Sequence, residues 1–105
     1  GSPYAIAFFG FAYYQENADK LTILSVDGVA PTAATAEDNS YPISRPLFIY
    51  SSSQIMLDKP QVAAFIYFYL TNVNNEIDDV GYFPANQVTL DAALNSWYEA
   101  VGMQP

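Results

Sequence analysis

The chain has 105 residues, eleven of them acidic against only Lys20, Arg45 and Lys59, for a formal charge of −8, with 51% hydrophobic and 16% aromatic residues. This length fits one small domain or part of a larger protein, and the acidity excludes nucleic-acid binding and attraction to anionic membranes, both of which need clustered Lys and Arg. Having neither cysteine nor histidine, the chain has no disulfides, thiolate nucleophiles, cysteine- or histidine-ligated zinc, or His-based triads.

Tyr4 to Phe8 is an apolar run of strand length, and Gly10 marks where the backbone can turn into the next segment. Phe11 to Lys20 is predicted as a short helix. Leu21 to Val26 is a β-branched run closed by the turn pair Asp27-Gly28. Pro31 to Asn39 is poor in bulky apolar side chains and is expected to be a surface loop with one helical turn.

Tyr41-Pro42 and Arg45-Pro46 frame the only arginine. Proline fixes its own φ and drives the residue before it to extended conformations, so this segment is a stiff elbow. It feeds the third strand candidate, Leu47 to Ser51, which Ser51-Ser52-Ser53 ends. Asp58 is placed to cap a helix with Pro60 in its first turn, running to about Asn72. Val62, Phe65, Ile66 and Tyr69 share one face of it, and Ala63, Phe68 and Leu70 widen the apolar surface, as in a helix buried between layers. After the polar stretch Asn72 to Asp79, Val80 to Pro84 is an apolar loop suited to lie over a core. The last helix begins at the N-cap Thr89, carries Leu90, Leu94, Trp97 and Val101 on one stripe and stops at Gly102.

About three strands interleaved with helices define an α/β chain. Three strands make a small sheet and the apolar content is high, so a partner lobe or a self-association face is expected to take up the excess. The longest apolar run, Val62 to Leu70, is too short to span a bilayer, and no signal-peptide pattern opens the sequence.

Residues that could carry chemistry are few. Asp78-Asp79 with Glu76 lack the glycine and alternating oxygen ligands of a calcium loop and are expected to form a solvated turn. Ser51-Ser52-Ser53 could offer hydroxyls and amides to an anion, but serines are also common strand ends. Arg45 could clamp an anionic ligand, and the competing expectation is an ion pair with one of the many carboxylates that fixes the elbow. Tyr13-Tyr14 and Tyr67 with Tyr69 could stack on sugars, although their setting among Phe and Ile favours packing. No acid–base or nucleophilic set and no cofactor motif is present, so the chain is expected not to be an enzyme.

Three segments, Ala5-Ile6-Ala7-Phe8-Phe9-Gly10-Phe11-Ala12-Tyr13-Tyr14, Val26-Asp27-Gly28-Val29-Ala30-Pro31-Thr32 and above all Tyr41-Pro42-Ile43-Ser44-Arg45-Pro46-Leu47-Phe48-Ile49-Tyr50, resemble the C-terminal part of the phosphate-binding proteins of bacterial phosphate ABC transporters. These are type II periplasmic binding proteins. Ala7 departs from the family's Ile-Gly-Tyr or Ile-Gly-Phe.

The resemblance implies a partial type II periplasmic-binding-protein fold, with residues 1–40 in the second lobe and 41–105 completing the first lobe after a crossing segment. It further implies an extracytoplasmic protein that captures phosphate for a membrane permease, of which this chain is about the last third. The family's phosphate-binding loops lie in earlier parts of the polypeptide. No ligand residue therefore carries over, Arg45 matches an elbow arginine, and the fragment alone is expected not to hold phosphate. Uncovered apolar faces imply a compact or strand-exchanged oligomer. The alternative is a structural α/β domain that self-associates through aromatic surfaces.

Overall fold

Five helices in chain order make up the regular structure in the computed structural model, which describes residues 2–104. They are α1 (Phe11–Glu16), α2 (Ala33–Glu37), α3 (Ser53–Asp58), α4 (Pro60–Glu76) and α5 (Gln87–Val101). The expected α/β architecture with three strands is overturned, because no strand forms among the described residues.

The physical reason lies in pairing. A strand depends on backbone hydrogen bonds to a neighbour, and none of the three apolar runs finds one. The nearest approach is a single antiparallel bridge, Val26 with Val29, whose N–H groups and carbonyls exchange bonds of 2.9 and 3.0 Å. Asp27 (φ 51°) and Gly28 (φ 80°) make the tight turn between them, with both central residues left-handed as two-residue hairpins prefer. The ladder cannot grow because the next bonded pair would be Leu24 with Pro31, and proline has no N–H to donate. Tyr4 to Phe8 stays exposed along its length, with Tyr4 and Phe8 both 92% accessible.

Packing is concentrated in the C-terminal half. α3, α4 and α5 touch one another, and the buried cluster Met56, Ala63 and Ile66 is flanked by Val62, Leu70, Trp97, Ala100 and Val101. The Trp97 indole N–H donates to the Ala63 carbonyl at 3.0 Å, tying α5 to α4. On α4, Val62 and Ile66 face inward as predicted, whereas Phe65 (59% accessible) points outward. The expectation of a helix buried between layers fails with the missing sheet.

Helix ends follow local chemistry. Ser52 caps α3 by accepting from the Ile55 N–H at 3.3 Å, so the serine run starts a helix instead of ending a strand. Asp58 closes α3 and does not cap α4, which starts at Pro60 after Lys59. α4 also continues to Glu76, past its expected end near Asn72 and into the polar stretch. Asn86, three residues before the expected Thr89, caps α5 by accepting from the Thr89 N–H at 2.8 Å. Gly102 ends α5 with φ 71°, and the Met103 N–H reaches back to the Tyr98 carbonyl at 3.0 Å, a glycine-dependent stop. Thr32 and Thr35 form a reciprocal capping box on α2, the single helical turn foreseen between Pro31 and Asn39.

The N-terminal half meets the C-terminal half where α1 packs against the loop after α4. The Phe11 ring lies 4.6 Å from that of Phe83, so the apolar loop after α4 covers α1 and not a central core. Gly81 sits against α1 so closely that a Cβ would come within 2.9 Å of Ala12 Cα and Cβ and Gln15 Oε1. The resulting body measures 55 × 25 × 22 Å with a radius of gyration of 17.5 Å. A compact chain of this length would have about 13 Å.

Candidate functional site

An oxyanion is held by converging donors: guanidinium or ammonium groups, hydroxyls and free backbone N–H groups. Arg45 is exposed in the elbow, and its Nη1 donates to the carbonyls of Pro42, at 3.4 Å, and Ser44. Its hydrogen-bond partners among the described residues are thus backbone carbonyls, not a carboxylate. The guanidinium closes the elbow on its own backbone. Lys20 lies beyond α1 and Lys59 between α3 and α4, so the three cations belong to separate segments.

Within the serine run, the Ser52 Oγ is taken by the Ile55 N–H. Asp78 and Asp79 lie in the exposed turn after α4. Among the described residues no three carboxylates gather into a cation-holding group. Asp38 is held below the ordinary carboxylate value by hydrogen bonds from the Ser40 hydroxyl and backbone N–H, the latter at 2.8 Å. That is an Asx-type turn before the elbow, a structural role.

The tyrosines are distributed over packing contacts. Tyr13 stacks near Phe9 at 4.8 Å, Tyr14 near Phe11 at 5.7 Å, and Tyr67 against Trp97 at 4.9 Å. Tyr98 sits edge-on to Trp97 at 5.2 Å; hydrogen bonding to the Tyr67 hydroxyl, then burial, push its phenol above the ordinary value. Tyr69 stands apart, joining Phe65, Phe68 and Val73 in an apolar groove of about 200 Å³ on the outer side of α4.

A second cleft, of about 300 Å³, opens between α4 and α5. Asn74 at its edge uses its whole amide on Ala85, donating at 2.7 Å and accepting at 3.1 Å, and Gln87 donates to Asp91 at 2.7 Å. The Asn74–Ala85 pair fixes the α4–α5 connection, and the Gln87–Asp91 bond braces the first turns of α5. The Asn74 contact was missed in the sequence because the helix was expected to end near Asn72, and only an amide in a helical last turn could have signalled it.

The comparisons with known proteins locate the chain. Protein SphX of Synechocystis is 40% identical over 86 residues, covering 77% of this chain and 26% of SphX. The phosphate-binding protein PstS of Staphylococcus aureus USA300 is 36% identical over 95 residues, covering 86% of this chain and 29% of PstS. The chain is a homologue of the phosphate-binding protein PstS. The PstS of a bovine S. aureus strain matches over the same 95 residues at 34% identity. The resemblance drawn from the Tyr41–Tyr50 elbow and the two earlier segments is therefore borne out. The chain spans between a quarter and a third of the length of PstS and SphX. No family model and no solved structure matches it. No helix among the described residues is long and apolar enough to cross a membrane.

Proposed function

We propose that the chain is part of an extracytoplasmic solute-binding protein that captures inorganic phosphate and delivers it to the permease of an ABC transporter, and that it performs no catalysis. The observation that carries this reading is the identity to PstS over 86% of the chain. Residues 1–40 and 41–105 belong to different lobes of that parent protein, joined at the proline elbow. The chain alone does not hold phosphate. Its net charge of −8 opposes a dianion, and Arg45, the one guanidinium, is spent on backbone carbonyls. Titration calorimetry of the 105-residue chain with phosphate tests this reading, which expects no saturable heat.

A second reading, self-association, is favoured by one specific observation. From Gln61 to Asn75, α4 carries no charged residue, and its outer face exposes Phe65 (59%), Phe68 (63%) and Tyr69 (37%). Two copies of an acidic chain meet with least repulsion on such a face. Sedimentation equilibrium at micromolar concentration decides it, and a monomer counts against it.

A further inference from the structure

The strip Arg45–Ser51 combines three properties that rarely coincide. It contains no helix, strand, turn or bend, and among the described residues none of its backbone groups takes part in a backbone hydrogen bond. Its side chains are bulky, apolar and exposed: Leu47 at 73%, Phe48 at 68% and Tyr50 at 85%. It also joins two parts of unequal solidity. Every residue of the core cluster lies between Met56 and Val101, while the first half of the chain contributes none and meets the second where α1 touches the loop at Gly81 and Phe83.

Endopeptidases bind their substrates as an extended strand, through backbone hydrogen bonds to an enzyme edge and side-chain pockets at alternate positions. Helices and paired strands must first unfold locally to meet that requirement, whereas exposed connecting segments need not. Phe48 and Tyr50 already project to one side, with rings 5.8 Å apart.

We propose that Arg45–Ser51 is an endoproteolytic site for peptidases whose primary pocket takes aromatic or large aliphatic side chains, and that cleavage there releases α3–α5 as a folded three-helix unit. Cleavage is hydrolysis of the Phe48–Ile49 or Tyr50–Ser51 bond. The water oxygen bonds to the carbonyl carbon as the C–N bond breaks, giving a new carboxylate and a new amino terminus, with water as the only co-reactant. Peptidases specific for basic residues are excluded from this site, because Arg45 precedes Pro46 and Lys59 precedes Pro60. A proline nitrogen after the scissile carbonyl has no N–H and holds the preceding residue out of the cleavable geometry. Phe65, Tyr67, Phe68 and Tyr69 are the right residue types, yet α4 withholds their backbone.

The test is limited digestion of the full chain with chymotrypsin and, in parallel, trypsin, followed by intact-mass analysis over time. Early products ending at Phe48 or Tyr50 are expected, with a persistent partner running from Ile49 or Ser51 to the C-terminus. Trimming near Tyr4 or Phe8 accompanies these cuts without parting the chain. Trypsin cuts only after Lys20. In a Leu47→Ala, Phe48→Ala, Tyr50→Ala variant with unchanged far-UV circular dichroism, the central cut is lost. First cuts inside α4 or α5, a strip that survives while other sites are cut, or immediate loss of the C-terminal piece would each overturn the proposal. Amide exchange gives an independent reading: 47–51 must exchange at the unprotected rate, and protection there overturns the proposal equally.

Discussion

Ile66→Ala tests whether the three-helix unit holds itself together. Ile66 is 8% accessible and sits with Met56 and Ala63 at the point where α3, α4 and α5 meet. The substitution removes three carbons, worth about 2.4 kcal/mol at roughly 0.8 kcal/mol per buried methylene. A rigid cavity would raise that cost toward the upper part of the usual range of about 2–5 kcal/mol. Here the surroundings are shallow, since among the described residues only Met56 and Ala63 are comparably buried, so water or neighbouring side chains can fill the space. The expected loss is therefore about 2–3 kcal/mol.

For α3–α5, a stability of roughly 0.05–0.15 kcal/mol per residue over about 50 residues amounts to about 2.5–7.5 kcal/mol. Ile66→Ala thus removes a large share of it. Urea unfolding followed by circular dichroism at 222 nm and by Trp97 fluorescence measures the change, with the midpoint falling and the slope conserved. Phe68→Ala is the control, because at 63% accessibility Phe68 has little burial to lose and should cost below about 0.5 kcal/mol. A loss under about 0.5 kcal/mol for Ile66→Ala, or a larger one for Phe68→Ala, would refute the assignment of the core.

Trp97→Phe deletes the 3.0 Å bond to the Ala63 carbonyl and part of the Tyr67 stacking, and should cost about 1–2 kcal/mol in the same urea assay. Gly81→Ala meets both a φ of 76° and the backbone of Ala12 at 2.9 Å, so it should undock α1 at a cost of about 1–3 kcal/mol. Loss of the Phe11–Phe83 ring contact in NMR spectra, with α3–α5 undisturbed, is the expected readout. Ser40→Ala removes one of the two donors to Asp38 and should move that carboxyl back up toward its ordinary value in an NMR titration. Because the folded value is depressed, the stabilising contribution of this turn is present above the ordinary carboxylate range and is lost as pH falls through the folded value.

Features fixed by neighbouring residues were legible in the sequence, and features fixed by distant ones were not. Asp27-Gly28 made its turn, Gly102 stopped α5, and Pro60 opened α4, each through its own backbone preferences. The inward stripe Leu90, Leu94, Trp97 and Val101 also holds, with all four residues half-buried. Strands failed because their stability lies in a partner segment, and Pro31 takes a donor from the one bridge seen among the described residues. α3 was hidden because Ser52 serves equally well as a strand end or an N-cap, and the hydrogen bond to Ile55 decides between them. For the candidate site, the elbow was informative about ancestry and uninformative about binding. The choice of Arg45 partner, backbone carbonyls over any of eleven acidic residues, is a matter of three-dimensional path.

The chain is proposed to belong to a phosphate-capture protein without carrying a phosphate site of its own. Titration calorimetry of the intact 105-residue chain with inorganic phosphate at neutral pH measures this directly. Only heat of dilution is expected up to millimolar phosphate, unchanged by Arg45→Ala. A saturable binding isotherm with micromolar affinity, abolished by Arg45→Ala, would contradict it.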